Sequence, residues 1–389
     1  MHHVDIVGTP SPIREMQGPI QTEPGTLAPI DPLTDPRYDD FVAGCQQAGA
    51  YHAGAWARIL TSAYGGRPHY LALTGADGTL EAALPLVASR GVVSGTRLRS
   101  LPVVPHSGPV GRSIEAEAAL IAAACRIADE RGATLTINSR TAGYAEHVPG
   151  LVGNTKNPTW VTLLPPDADG LRSGWKKGSN NLFRNIAKSE KAGVRVREGQ
   201  GDSDLRDFYR LYLATMRRHR SLPRAWRQMK LDQALLGPSG VFRLFIAEHE
   251  SRPVAAAIFH AYGDTVDLLY NGSDEAARDL RPNFALYWHA ISWAIEHGFR
   301  HFDWGEAQEG GPLSRFKAQW SADPVADYRY DYSPGGEPGG SRADRLRNTH
   351  DLFDTPGERS RRERVIDAVW ERTPLTLTRA AGSVVYRLF

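Results

Sequence analysis

Twice along the chain the same succession recurs: a helix, three strands joined by tight turns, a second helix, and a short strand. In the second half, 204–229 carries apolar residues at helical spacing, and strand-like runs follow at 241–248, 254–262 and 265–271. A helix opens at Pro282, where the missing N–H would be unpaired anyway, runs to 297, and stops at Gly298, a left-handed cap position. A strand at 300–304 closes the unit. The first half reads helix 39–63, strands 69–74, 80–89 and 96–103, helix 114–131 ended by Gly132, and strand 133–138. The two halves scarcely match residue for residue, so the repeat lies in the pattern. It predicts an α/β protein of two like lobes, each a mixed sheet flanked by helices.

The lobes are expected at 31–165 and 166–332, after a flexible extension over 1–30. A linker rich in Pro, Gly and Arg follows at 333–357. A tail of two short helices, broken at Pro374, runs over 358–389. The tail alternates Arg with apolar residues, so it either docks on the core or lies on an anionic membrane surface. No run of about 18 apolar residues spells a membrane span, and the first 30 residues lack the apolar core of a secretion signal. Cys45 and Cys125 cannot build a disulfide framework and read as small buried apolar residues, which fits a reducing, cytoplasmic setting. No Cys or His spacing suits a metal, and no Walker loop, nucleophile elbow or dinucleotide fingerprint occurs.

Chemistry concentrates in three places. The first is HFDWGEAQEGGPLSRFKAQW, 301–320, where an acid closes a strand before a glycine-rich loop and an aromatic-flanked lysine. Asp303 is a candidate general base, or else a helix cap or an arginine partner; Glu306 is the alternative base on the same loop. Lys317 is a candidate donor to negative charge, or else a surface residue of a short helix from Pro312. Trp304 and Trp320 read as pocket wall or core. The second place is Arg281-Pro282-Asn283-Phe284-Ala285-Leu286-Tyr287, at a helix N-terminus whose first N–H groups and dipole favour an anion. Asn283 serves either a phosphate or the helix start, and Tyr287 either a leaving group or packing.

The third place is a basic belt. Between 175 and 197 lie Lys176, Lys177, Arg184, Lys188, Lys191, Arg195 and Arg197 against Glu190. Arg206, Arg210, Arg217, Arg218, Arg220, Arg224, Arg227 and Lys230 follow. The net charge of the whole chain is only +2, so this is a local concentration. Arg184, Lys188 and Lys191 share one helical face that suits a diphosphate or the acceptor end of a tRNA, unless it is simply solvated.

The element order resembles the core of the GNAT acyltransferase fold, and its doubling is similar to the tandem form seen in the Fem-type transferases. The stretches NNLFRNIAKSEKAG, RPVAAAIF, LRPNFALYWHAISWAIEHGFRHFDWG and SRFKAQW carry the likeness in the second half, with WARILTSAYGGRPHYLAL and LPLVASR in the first. It extends over about 37–332 and is most specific at 281–320. The resemblance implies an acyl or aminoacyl transfer to an amine or hydroxyl of an envelope precursor, a glycan or a small metabolite, by direct attack in a ternary complex. It implies that Phe316-Lys317 sits at the transfer site, with Lys317 facing developing charge or a phosphate. It also implies that Arg281 and Asn283 border a donor phosphate. The glycines usual at that turn are replaced here by Pro282, Asn283 and Phe284. The donor therefore stays open between an acyl-CoA and an aminoacyl-tRNA, as a co-substrate and not a tightly bound cofactor. The acceptor is expected to be a small molecule or a lipid-linked or nucleotide-linked compound. The competing expectation is a binding module for a phosphorylated glycan or nucleotide-linked ligand on the same scaffold.

Overall fold

The computed structural model describes residues 25–91, 95–101, 104, 106–167, 170 and 180–336. The expected tail, almost all of the linker and most of the N-terminal extension lie outside them. The first lobe contains β1 (Thr26–Pro29), α1 (Pro36–Ala43), α2 (Gly54–Tyr64), β2 (Arg67–Pro68), β3 (Leu71–Thr74), β4 (Leu80–Leu84), β5 (Leu86–Gly91) and β6 (Gly95–Ser100). It continues with β7 (Val110–Gly111), α3 (Ile114–Arg131), β8 (Thr134–Ser139), α4 (Tyr144–His147) and β9 (Val152–Thr155). Next come β10 (Thr159–Leu163), α5 (Asn180–Lys191), β11 (Arg195–Glu198), α6 (Gly201–Arg218), α7 (Trp226–Leu236), β12 (Phe242–His249), β13 (Arg252–Tyr262) and β14 (Thr265–Ser273). The last elements are α8 (Pro282–Glu296), β15 (His301–Glu306), α9 (Pro312–Ala318), β16 (Ala322–Val325) and β17 (Tyr328–Tyr332).

The repeat is present. In each lobe an antiparallel run ends in a strand that a helix carries over to a parallel neighbour: β6 to β8 through α3, and β14 to β15 through α8. Four local expectations are revised. Residues 26–29 belong to the first lobe, because β1 pairs with β3 and Leu27 packs on the lobe's core. The helix expected over 39–63 is two helices, separated by a stretch holding Gly44 and Gly49. The one expected over 204–229 breaks between α6 and α7, where Pro223 supplies no N–H and Arg220 takes φ +57°. The strand expected over 80–89 divides at Pro85 into β4 and β5, which belong to different sheets.

Both parallel pairs are forks. β14 and β15 are paired only over 265–267 and 301–303, and then diverge. β6 and β8 are paired only over 97–99 and 134–136. Past the pairing, backbone groups on the inner edges have no strand partner among the described residues; beside β8, Asn138 is met instead by Ser107 N–H and the Ser100 hydroxyl.

The lobes exchange strands. β10 enters the second lobe's sheet between β15 and β16, and β17 enters the first lobe's sheet between β8 and β9. The segments β9–β10 and β16–β17 run antiparallel to each other from one lobe into the other, with Thr162 opposite Ala322 and Tyr328 opposite Thr155. At the crossing the Lys156 N–H donates to the Asp327 carbonyl at 2.8 Å. The sheets therefore do not part at 165/166 as the pattern suggested, because each lobe is completed by a strand from the other side of that boundary.

Three apolar cores fill the layers of the described residues. One lies around α3 inside the first lobe and one beneath α8 in the second. The third is shared: Tyr38, Trp56 and Tyr70 of the first lobe pack with Phe208, Tyr212, Met229, Ile246 and Ile258 of the second. A small device steadies that shared core. The Asp39 carboxylate accepts from the Gly54 N–H at 2.7 Å, satisfying one orphan donor at the start of α2. Asp39→Ala is expected to lower the unfolding free energy by ~1 kcal/mol, measured by urea denaturation.

Candidate functional site

β15 alternates its faces. Phe302 and Trp304 enter the core beneath α8, so Asp303 points to the opposite face, towards the first lobe. In β14, Val266 goes to the same core as Phe302, and Asp267 turns with Asp303. Asp267 and Asp303 are register partners at the last paired position of the fork. On the other side Asp267 is the register partner of His260 in β13. Three titratable residues on three adjacent strands thus form one row across the sheet, on one face.

The first lobe covers that row. Arg140, just past β8, donates to the Asp303 carboxylate, and its Nε lies 3.6 Å from Asp327 Oδ1. The two carboxylates are buried, whereas the Arg140 side chain keeps 32% exposure at the mouth of the seam. Burial alone would weaken the charge on Arg140; Asp303 and Asp327 more than offset this and hold its pKa above the ordinary value. Asp327 also accepts from the Thr159 hydroxyl. Burial pushes its carboxyl up to about 6, against the opposing pull of Arg140. Asp303 Oδ1 accepts from the Gly305 N–H at 2.7 Å.

His106 enters from the loop after β6. One of its ring nitrogens and one carboxylate oxygen each of Asp267 and Asp303 lie within 4.8 Å of one another. Burial, then the nearby Arg140 charge, lowers the His106 pKa well below its usual value, so the ring is neutral. Its Nδ1 is buried without a hydrogen-bond partner among the described residues. His52 anchors the loop: its Nδ1 accepts from Gly49 N–H and its Nε2 donates to the Gly108 carbonyl, both at 3.1 Å. Burial holds the His52 pKa down to about 4, which fits that neutral tautomer. At the β13 end of the row, His260 Nε2 and Asp232 Oδ1 of α7 are 2.8 Å apart and fully buried, with the rings of Tyr51 and Trp56 each 5.7 Å from the imidazole.

The residues expected from the sequence divide between the two faces of the second-lobe sheet. Asp303 lies at the seam. Tyr287, Trp304, Phe316 and Trp320 gather on the other face as an aromatic cluster, with Tyr287 5.3 Å from Trp304 and 6.0 Å from Phe316. The Tyr287 hydroxyl is pushed up by burial alone. Lys317 is 3% exposed and donates to the carbonyls of Gly305 and Glu306, each at 2.8 Å. Glu306 bonds Lys156 of the crossing segment. Lys317 and Lys156 therefore both grip the turn that follows Asp303. At the start of α8, Arg281 adopts φ +58°, a conformation uncommon for a side-chain-bearing residue. Arg281 Nε and Asn283 Oδ1 are buried without hydrogen-bond partners among the described residues.

Arg184 and Lys188 are exposed on α5, whose buried side rests on α8 through Phe183 and Trp288. Lys176 and Lys177 lie outside the described residues. Much of the remaining belt meets acids. Arg197 pairs with distant Glu248 and nearby Asp204, Lys230 with Asp202, and Arg218 with Glu275, while Arg210 pairs with Asp207 one turn away on α6. A hollow of about 470 Å³ opens between α6 and the turn after β14, lined by Arg210, Arg217, Arg218 and Ser273. It lies roughly 20 Å along β14 from Asp267. Size does not make it the centre of chemistry, because the buried titratable groups converge at the fork.

Sequence reading missed Asp267, Arg140, His106 and Asp327. One signal was present: Val266-Asp267-Leu268 repeats the pattern of Phe302-Asp303-Trp304, a lone acid between apolar residues in a strand.

Comparison with known proteins bears on this arrangement. Residues 176–318 match the family model described as an acetyltransferase (GNAT) domain. A UDP-N-acetylmuramoylpentapeptide-lysine N(6)-alanyltransferase of Weissella viridescens is 26% identical over 120 residues, 31% of this chain and 35% of that one. The match therefore spans about a third of that relative's length. Among solved structures, FemX superposes with a TM-score of 0.61 at 15% identity, covering 79% of this chain and 97% of FemX. A conserved protein of Bacteroides thetaiotaomicron VPI-5482 gives 0.57 at 8% identity, covering 79% of this chain and all of that one. At such identities these two likenesses speak to fold alone.

Proposed function

From the match of residues 176–318 to the GNAT acetyltransferase-domain model, we propose that this chain transfers an acyl or aminoacyl group to an amine or hydroxyl held between its two lobes. The observation that carries the reading is the fork: a sheet opened between β14 and β15, with Asp303 and Arg140 facing each other across the seam. An extended donor can follow the free edges of a forked sheet by main-chain hydrogen bonds. A fixed guanidinium beside the reacting carbonyl stabilises the charge that develops there. Direct attack suits the site, because burial pushes both thiols up, Cys45 to about 11 and Cys125 to about 12, leaving neither as a ready thiolate nucleophile.

The alanyltransferase relative acts, by its name, on a lysine amine of a nucleotide-linked muropeptide. By that likeness the acceptor here is an amine on an envelope precursor, nucleotide-linked or lipid-linked, and the donor is an acyl-CoA or an aminoacyl-tRNA. A cytoplasmic setting, at the inner membrane face for a lipid-linked acceptor, goes with this reading. The strained turn at Arg281, whose buried Nε has no hydrogen-bond partner among the described residues, is where a donor phosphate would find a cationic donor at a helix N-terminus. The same turn supports the second reading. It lacks the glycines that let a phosphate approach the backbone, which favours a module that binds such a ligand without turning it over.

The test is direct. The protein is incubated with labelled acetyl-CoA or charged tRNA and an amine-bearing muropeptide, and products are read by mass spectrometry. Mass gain on the acceptor supports transfer. Thermal stabilisation by the acceptor, with no product from any donor, favours the binding module. Within the transferase reading Lys317 is a positioning residue that fixes the 305–306 turn. Lys317→Ala is expected to lower turnover by about a hundredfold, because a misplaced Asp303 loses its alignment. It is also expected to cost ~2 kcal/mol of stability from two carbonyls left without their donor. Steady-state kinetics and urea unfolding check both figures.

A further inference from the structure

We infer that Asp267 and Asp303 hold a single proton between them at the fork and serve the transfer as acid and base together, an inference that rests on the transferase reading above. The geometry is that of a carboxyl pair. The two residues are register partners on adjacent parallel strands, on the same face, and both are buried. Two carboxylates so placed cannot both ionise cheaply. The surroundings decide where the charge rests. The Arg140 guanidinium and the Gly305 N–H both donate to Asp303, which leaves the proton to Asp267. His260 of β13 faces Asp267 from the other side, with its Nε2 engaged by Asp232 of α7. From the first lobe, neutral His106 and the Arg140 charge face the pair, with Asp327 behind Arg140. Burial first, and the Asp303 charge second, push the Asp267 carboxyl up to about 7.

In the transfer, the acceptor nitrogen attacks the acyl carbon. The N–C bond forms and the acyl bond to the donor's oxygen or sulfur breaks. The nitrogen gives its proton to the Asp303 carboxylate, and the departing oxygen or sulfur takes the proton of Asp267. The pair begins and ends with one proton, and a shift from Asp303 to Asp267 resets it. The donors of His106, Asp267 and Asp303 are close enough to receive a divalent cation instead. The Arg140 guanidinium bonded to Asp303 already puts positive charge beside that point, which favours the proton.

Infrared difference spectroscopy on the substrate-free protein tests the inference independently of turnover. A carboxylic-acid C=O band separate from that of Asp327, which Asp327→Asn identifies, is expected to titrate near neutral pH and to vanish in Asp267→Asn. In Asp303→Asn the band is expected to titrate at distinctly lower pH, because the neighbouring negative charge is gone. A proton held by burial alone would titrate unchanged in Asp303→Asn, and that result overturns the pairing. So does a wild-type spectrum with no such band between pH 5 and 8. Equimolar Zn²⁺ or Mn²⁺ abolishing the band reversibly would assign a cation site and overturn the proposal. In kinetics, Asp267→Asn is expected to lose turnover at least a hundredfold and to lose the alkaline limb of the pH–rate profile. Circular dichroism checks that the variant is folded. A shared proton without transfer activity would count against the transferase reading and the acid–base role, but not against the pairing. Full activity in folded Asp267→Asn would overturn the role.

Discussion

Replacing Arg140 by alanine is expected to abolish transfer and to destabilise the protein by ~3 kcal/mol, since it strips two buried carboxylates of their shared cation. Asp303 of β15 and Asp327 of the crossing segment meet at this one guanidinium. The stability loss should depend on pH in a defined direction. Without the cation, the carboxylates bind protons more tightly in the folded state than they do in the parent. The variant therefore regains stability relative to the parent as pH falls from 8 towards 5. Urea unfolding of both proteins across that range checks the trend, and a deficit that does not narrow would show that Arg140 acts through packing alone. Arg140→Lys keeps a charge but loses the fork of donors, so it should recover part of the stability and little of the activity.

A second large effect is expected at Gly272, near the end of β14. A Cβ there would lie 2.4 Å from Tyr212 N and 2.5 Å from Leu211 C, both backbone atoms of α6. No rotamer change relieves a contact with backbone, so α6 must lift away from β14. Gly272→Ala is expected to cost ~3 kcal/mol and to lower the midpoint of thermal unfolding by several degrees. Lifting α6 also disturbs the shared core through Tyr212 and Phe208, so the seam should loosen and turnover fall with stability. Calorimetry alongside a transfer assay separates the two. An unchanged melting temperature would mean the helix has slack that the backbone contact does not suggest.

What could be read in advance follows from the range of each signal. α3 and α8 are marked locally, by Gly132 at φ +55° and by Pro282 at the first helical position, and their limits were legible. α6 and α7 were merged because helical periodicity persists through Pro223, and the break depends on how the turn packs. Asp303 was found because it sits beside conspicuous neighbours in one short stretch. Asp267 is 36 positions earlier, and only the register of β14 on β15 puts the two side by side. Arg140 and His106 come from the other lobe, and nothing local to either residue encodes the meeting. The basic belt was overcounted for the same reason: the acids that answer Arg197 and Arg218 stand next to them only in space.

The strand exchange has a consequence for how the molecule is made. On the ribosome the first 160 residues emerge with β8 and β9 unable to pair, because β17, which lies between them, begins at Tyr328. The nascent amino-terminal half must wait with a gap in its sheet while more than 160 further residues are polymerised. Unlike most two-lobed chains, which fold in order of synthesis, this one is expected to close both halves almost together, late, and in a step that joins distant parts of the polypeptide.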